Sequence, residues 1–171
     1  MSPDRQPVDD VDAVVSAWRR ERPDLDVTPL EVLSRVSRLA RRLDLARGSA
    51  FSDHALEGWA FDVLSALRRA GEPYELSPGQ LVQQTLVTSG TMTNRVDGLE
   101  RRGLVERRPD PGDRRGVLVR LTPRGRDAVD SAMADLIEQE KSLLAQLSPH
   151  DQTTLASLLR RMLAPLESRE P

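Results

Sequence analysis

Apolar residues recur at helical spacing along most of the chain, and at strand spacing in only one stretch. Val11, Val14, Val15 and Trp18 fall on one helical face over 9–21, and Pro23 closes that segment. Leu30, Leu33, Val36, Leu39, Ala40 and Leu43 make a second stripe over 29–46, with Arg35, Arg38, Arg41 and Arg42 on the other face. Trp59, Val63, Leu64 and Leu67 predict a third helix over 52–70, with Gly71 as its C-cap. Toward the end, Val129, Ala132, Met133, Leu136, Ile137, Leu143 and Leu144 predict a helix over 123–147, and Leu155, Leu158, Leu159, Met162 and Leu163 another over 149–167.

Helix starts carry a common signature. Thr28-Pro29, Ser77-Pro78, Thr122-Pro123 and Ser148-Pro149 each place a hydroxyl where it caps a free amide, followed by proline where its missing N–H costs nothing. Glu31 and Gln80 complete capping boxes with Thr28 and Ser77.

In the middle of the chain the elements shorten. A two-turn helix over 78–84 leads through Leu86-Val87-Thr88 to a helix that Thr88 or Ser89 caps and that reaches Arg102, where Gly103 stops it. Two strand-like runs follow, 104–108 and 117–121, around 109–116, whose Pro, Gly and Asp residues predict a hairpin loop too long for a two-residue turn. No tandem repeat or low-complexity linker interrupts the chain.

Composition narrows the function classes. The chain has 171 residues, no cysteine and only two histidines, His54 and His150, far apart in sequence. That excludes a disulfide framework and a thiol nucleophile, and leaves no metal set. His54 reads as capping or solvated, Trp59 and Tyr74 as core or rim packing. The polar, acidic opening lacks a signal-peptide pattern, and no apolar run approaches the roughly 18–20 residues of a membrane span. A cytoplasmic protein without membrane or cofactor is expected. There is no Gly-rich phosphate loop and no nucleophile with a paired base, so an enzyme is not expected.

The net charge of −2 conceals an asymmetry. Between Arg95 and Arg126 stand ten arginines against five acids, an excess of +5 on a remainder of −7. Such a segment draws a polyanion to one face. Short helix, turn, second helix and hairpin is the order of a winged helix-turn-helix, whose second helix enters a major groove about 12 Å wide and carries small, hydrogen-bonding residues at its N-terminal end. Ser89, Thr91, Met92 and Asn94 are the candidates for the groove, with Thr93 toward phosphate. Arg114 and Arg115 on the hairpin suit an adjacent minor groove.

Ser89-Gly90-Thr91-Met92-Thr93-Asn94-Arg95, Leu99-Glu100-Arg101-Arg102-Gly103-Leu104-Val105, Asp110-Pro111-Gly112-Asp113-Arg114-Arg115 and Val119-Arg120-Leu121-Thr122-Pro123-Arg124-Gly125 resemble the recognition helix and wing of MarR-family transcriptional regulators. The resemblance is close over 60–128. It implies a mainly α fold with a small β-hairpin wing: a winged helix-turn-helix over 51–122, flanked by dimerisation helices over 1–50 and 123–171. It further implies a homodimer gripping a pseudo-palindromic double-stranded DNA site, with half-sites about 34–36 Å apart. By the family pattern Asp113 pairs with Arg115 and positions it. A repressor of nearby genes is the reading that follows.

Many such regulators release DNA when a small anionic or phenolic molecule binds. The N-terminal helix bearing Trp18, together with Asp62 and Arg95, resembles the urate-responsive branch of the family. An arginine pairs with an oxopurine anion, an indole packs on its face and a carboxylate accepts its N–H groups. The alternatives are a core tryptophan, an Asp62–Arg95 ion pair, and another effector such as a carboxylate metabolite or phenolic acid. The rival from a different class is a helical protein–protein docking module that uses the winged domain without specific DNA binding.

Overall fold

A computed structural model describes residues 8–167. The chain forms two compact units, Met1–Ala46 and Arg47–Pro171.

The first unit holds α1 (Asp10–Glu21) and most of α2 (Thr28–Ser52). Asp9 caps α1 in a box with Asp12, a start without the hydroxyl-proline signature. Among this unit's described residues only Val11, Val15 and Val27 are buried, with Leu30 packed against them. Charge supplements this small core: the Arg35 guanidinium reaches Asp9 at 2.8 Å and Asp12 at 2.6 Å, and Arg38 reaches Asp10 at 3.0 Å. The box expected at Thr28 is replaced. The Thr28 backbone N–H donates to the Asp26 carboxylate at 3.0 Å, and Glu31 reaches Arg19 instead.

In the second unit α2 continues to Ser52, and α3 begins only at Gly58, so the boundary expected near 46–52 falls later. Burial explains the shift: Ala50 and Phe51 are in the core, and Phe51 stacks on Phe61 at 4.1 Å, which carries the helix through Gly48. The chain then reverses through Ala55, at φ 53°, with the Leu56 amide donating to the Phe51 carbonyl. His54 pairs with Asp135 at 2.6 Å and caps no helix.

After α3 (Gly58–Arg69), Gly71 at φ +78° turns the chain into β1 (Glu75–Leu76), a strand the sequence pattern did not announce. Next come α4 (Pro78–Thr85), α5 (Ser89–Arg101), β2 (Val105–Asp110), β3 (Asp113–Leu121), α6 (Pro123–Leu144) and α7 (Pro149–Glu167). The sheet is antiparallel in the order β1-β3-β2, one strand wider than the expected hairpin. Ser77 and Thr122 cap α4 and α6 as expected, and the Ser148 hydroxyl accepts from the Asp151 amide at the start of α7.

Leu64 and Leu67 of α3, Leu81 of α4, Met92, Val96 and Leu99 of α5, and Val119 of β3 converge in one core. Each fully buried side chain contributes roughly 1.5–3 kcal/mol. The result is the expected mainly α fold with a small β wing and flanking helices.

Candidate nucleic-acid interface

Thr88 caps α5: its hydroxyl accepts from the Thr91 amide at 3.3 Å and meets the Thr91 hydroxyl at 2.9 Å. Helical spacing then sorts the candidates. Met92, Val96 and Leu99 face inward, and Met92 is fully buried. Met92 is therefore removed from the groove-facing set: an unbranched apolar chain at this register belongs to the core stripe. Ser89, Gly90, Thr91, Thr93 and Asn94 are exposed. The Thr93 hydroxyl donates to the Ser89 carbonyl at 3.1 Å and that of Thr91 meets Thr88, each keeping a lone pair to accept with, while Ser89 and Asn94 face outward beside them.

The wing differs from the predicted loop. Asp110 pairs directly with Asp113 across Pro111-Gly112, a two-residue turn, and the irregularity lies in β3, where 114–116 have no partners between the Pro109–Val117 and Asp110–Asp113 pairs. Gly116 is required there, because a Cβ would stand 2.9 Å from that of Asp110. Asp113 does hold Arg115, through the backbone: the Arg115 N–H donates to its carboxylate at 2.9 Å. The Arg115 side chain is exposed, and that of Arg114 lies outside the described residues.

Contacts also divide the basic segment. Arg102 pairs with Glu57, Arg107 with Asp97 and Glu100, and Arg108 with Glu106. Among the described residues Arg95, Arg101, Arg115, Arg120, Arg124 and Arg126 face no carboxylate within ion-pair distance. Arg95 instead lies over the Trp59 ring, 5.9 Å from its centroid. Sequence reasoning placed Trp59 in packing and counted Arg107 only as charge. Neither partner was visible, since both lie on other elements.

Of the expected ligand residues, Asp62 and Arg95 share a unit but line different hollows. Asp62 lines an open crevice of about 560 Å³ with Arg47, Phe61, Arg68, Arg69 and Met133. Arg68 is held by Asp130 at 2.8 Å and lies over Tyr74; Arg47 meets Glu140 at 3.2 Å. Arg95 sits in a different hollow, with Trp59, Thr91, Asn94, Gly98 and Arg101. No Asp62–Arg95 ion pair forms. Trp18 belongs to the first unit, where it is 47% exposed on α1 and not part of that unit's core.

Among the described residues no three His, Cys, Asp or Glu side chains cluster to hold a metal, and no helix is long and apolar enough to cross a membrane.

Known proteins resemble this chain along most of its length. A family model described as "MarR family" matches residues 56–116. The HTH-type transcriptional regulator PecS of Dickeya dadantii is 39% identical over 153 residues, 90% of this chain and 92% of that protein. The HTH-type transcriptional repressor NicR of Pseudomonas putida is 32% identical over 143 residues, 81% of this chain and 89% of that one. Among solved structures, Bordetella bronchiseptica BpsR, described through the regulation of its DNA binding by 6-hydroxynicotinic acid, superposes with a TM-score of 0.64 at 30% identity, covering 77% of this chain and 91% of that one.

Proposed function

The chain belongs to the MarR family, and on that footing we propose that it is a homodimeric repressor that binds a pseudo-palindromic operator and is released by a planar nitrogen-heterocyclic anion. One observation carries the DNA-binding part. The outward face of α5, Ser89, Thr91 and Asn94, and the exposed Arg115 of the wing stand on one compact unit, among arginines that have no carboxylate partner among the described residues. Hydroxyl and amide groups suit base edges, and unpaired guanidinium groups suit phosphates and a narrow minor groove. In this reading 51–122 bind DNA, while 1–50 and 123–171 hold the dimer together.

The effector reading rests on the relatives and on the crevice at Asp62. The heterocyclic acid named for BpsR supports a flat anion, and the resemblance of Trp18, Asp62 and Arg95 to the urate-responsive branch makes urate the first compound to test. Among the described residues neither Arg69 nor Asp62 of the crevice has an ion-pair partner, and the Asp62 carboxylate can accept a ring N–H. Trp18 and Arg95 are the other two members of the candidate ligand set.

Fluorescence anisotropy on DNA from upstream of the chain's own coding sequence tests both parts. Tight binding lost on adding urate or 6-hydroxynicotinate supports the whole proposal, with Asp62→Ala abolishing the release. Tight binding indifferent to these anions removes the effector, and binding indifferent to DNA sequence removes the operator. A promoter fusion that falls silent when the protein is supplied identifies a repressor; activation overturns that assignment.

A further inference from the structure

Arg107, the third residue of β2, points toward α5. Its guanidinium reaches Asp97 at 2.5 Å and also Glu100, while its own backbone N–H donates to the other Glu100 oxygen at 3.0 Å. One residue of the wing thus grips two carboxylates spaced one turn apart on the helix. The Arg107 side chain is only 31% exposed, and a multidentate, partly buried set of this kind holds geometry where a lone surface pair does not.

Leverage gives the contact its importance. Helix and strand join at Gly103, at φ +68°, through a tight turn in which the Leu104 amide donates to the Leu99 carbonyl. Beyond it β2 runs six residues to the turn before Arg115. At ~3.4 Å per residue, a rotation of ~10° about that joint would carry the tip ~3.5 Å, more than a hydrogen bond is long.

We infer that Arg107 is a positioning residue that fixes the wing against the recognition helix, so that Arg115 and the α5 face meet the DNA together. With the angle fixed, binding by the helix makes the wing contact an intramolecular step; with the angle loose, that advantage shrinks. The inference rests on the DNA-binding reading above.

The test is a double-mutant cycle on the upstream DNA, with folding of each variant checked by circular dichroism. Arg107→Met is expected to weaken binding about tenfold. Arg115→Ala is expected to cost about tenfold in the parent protein but about twofold in the Arg107→Met background, because the wing is no longer presented. Arg107→Lys, which keeps the charge without bridging both carboxylates, should restore only part of that dependence. A purely structural arginine would give equal Arg115→Ala losses in both backgrounds, and that result, or parent-like binding by Arg107→Met, overturns the inference. Should Arg107→Met fail to fold, Glu100→Gln, which keeps the Asp97 pair, replaces it in the same cycle under the same criteria. A parent protein that does not bind the DNA overturns the underlying reading and this inference with it.

Discussion

Two glycines on the same unit should respond in opposite ways to one methyl group. A Cβ at Gly125, in the first turn of α6, would stand 1.9 Å from the Leu104 carbonyl oxygen. That atom belongs to backbone fixed by the Thr122 amide, which donates to it, so relief requires moving the wing's base away from α6. Gly125→Ala is expected to cost about 3 kcal/mol or more, read from the urea midpoint. Gly90 of α5 has nothing within 4 Å of such an atom. Gly90→Ala should leave stability unchanged or raise it by ~0.5–1 kcal/mol, since alanine favours the helix. If the α5 face lies in a groove, the same variant weakens DNA binding several-fold. Unchanged affinity would place Gly90 away from the DNA. Met92 follows the logic of Gly125: truncation to alanine should cost about 2–5 kcal/mol through the cavity it leaves.

At the level of elements, α1 is held by charge as much as by burial, which gives it a pH dependence. The Asp9 carboxyl is held below the ordinary value of 3.8 first by its hydrogen bonds from Arg35, and that of Asp12 by its hydrogen bond from the Asp9 amide and then by Arg35. Groups whose folded pKa is depressed stabilise the fold above the unfolded value, and the contribution is lost as pH falls through the folded one. α1 should therefore loosen from α2 as pH falls below about 3.8, while the second unit, whose lowered carboxyl at Glu57 sits beside a far larger apolar core, keeps its helices. Trp18 emission in a Trp59→Phe background reports the loosening and far-ultraviolet dichroism the rest. Arg35→Met should remove the acid step seen by Trp18, and an unchanged step would refute the assignment.

The same scale shows what was legible in the sequence. Helix starts written as hydroxyl-proline pairs were readable at Ser77, Thr122 and Ser148, because capping is local chemistry. Helix ends were not: α2 reaches Ser52 only because Ala50 and Phe51 find a core made by residues far along the chain. β1 is two residues long and carries no period to detect. Pro109 to Gly116 looked like a loop, whereas the ladder runs nearly to its tip and hides the irregularity in 114–116. At the site, the residue types of α5 pointed to a groove, yet their facing had to await the helix register, which removed Met92. The grip of Arg107 on Asp97 and Glu100 joins residues 7 and 10 apart on two elements, a pairing that no local pattern encodes.

For the molecule as a whole, the decisive question is what covers the apolar residues that the chain leaves in the open. On α7, Leu158, Met162 and Leu166 repeat every fourth residue with Leu163 beside them, each 42–61% exposed, and α6 adds Met133, Ile137, Leu143 and Leu144. Eight such side chains, each gaining about half of the ~1.5–3 kcal/mol of full burial, can offset an association cost of ~4–15 kcal/mol. A second copy meets that need and gives the two-fold symmetry that a pseudo-palindromic site requires. Leu158→Asp with Leu163→Asp should therefore convert a dimer to a monomer in sedimentation velocity, without disturbing the buried core of the winged unit. DNA affinity should then fall by about 10²–10⁴, because each half-site contact loses the effective concentration supplied by its twin. The salt dependence should fall with it, roughly by half, as half the phosphates are engaged. A double variant that stays dimeric would move the interface off α7. A monomer that keeps the parent affinity and salt slope would mean that one winged unit suffices for the DNA, and the symmetric operator would have to be given up.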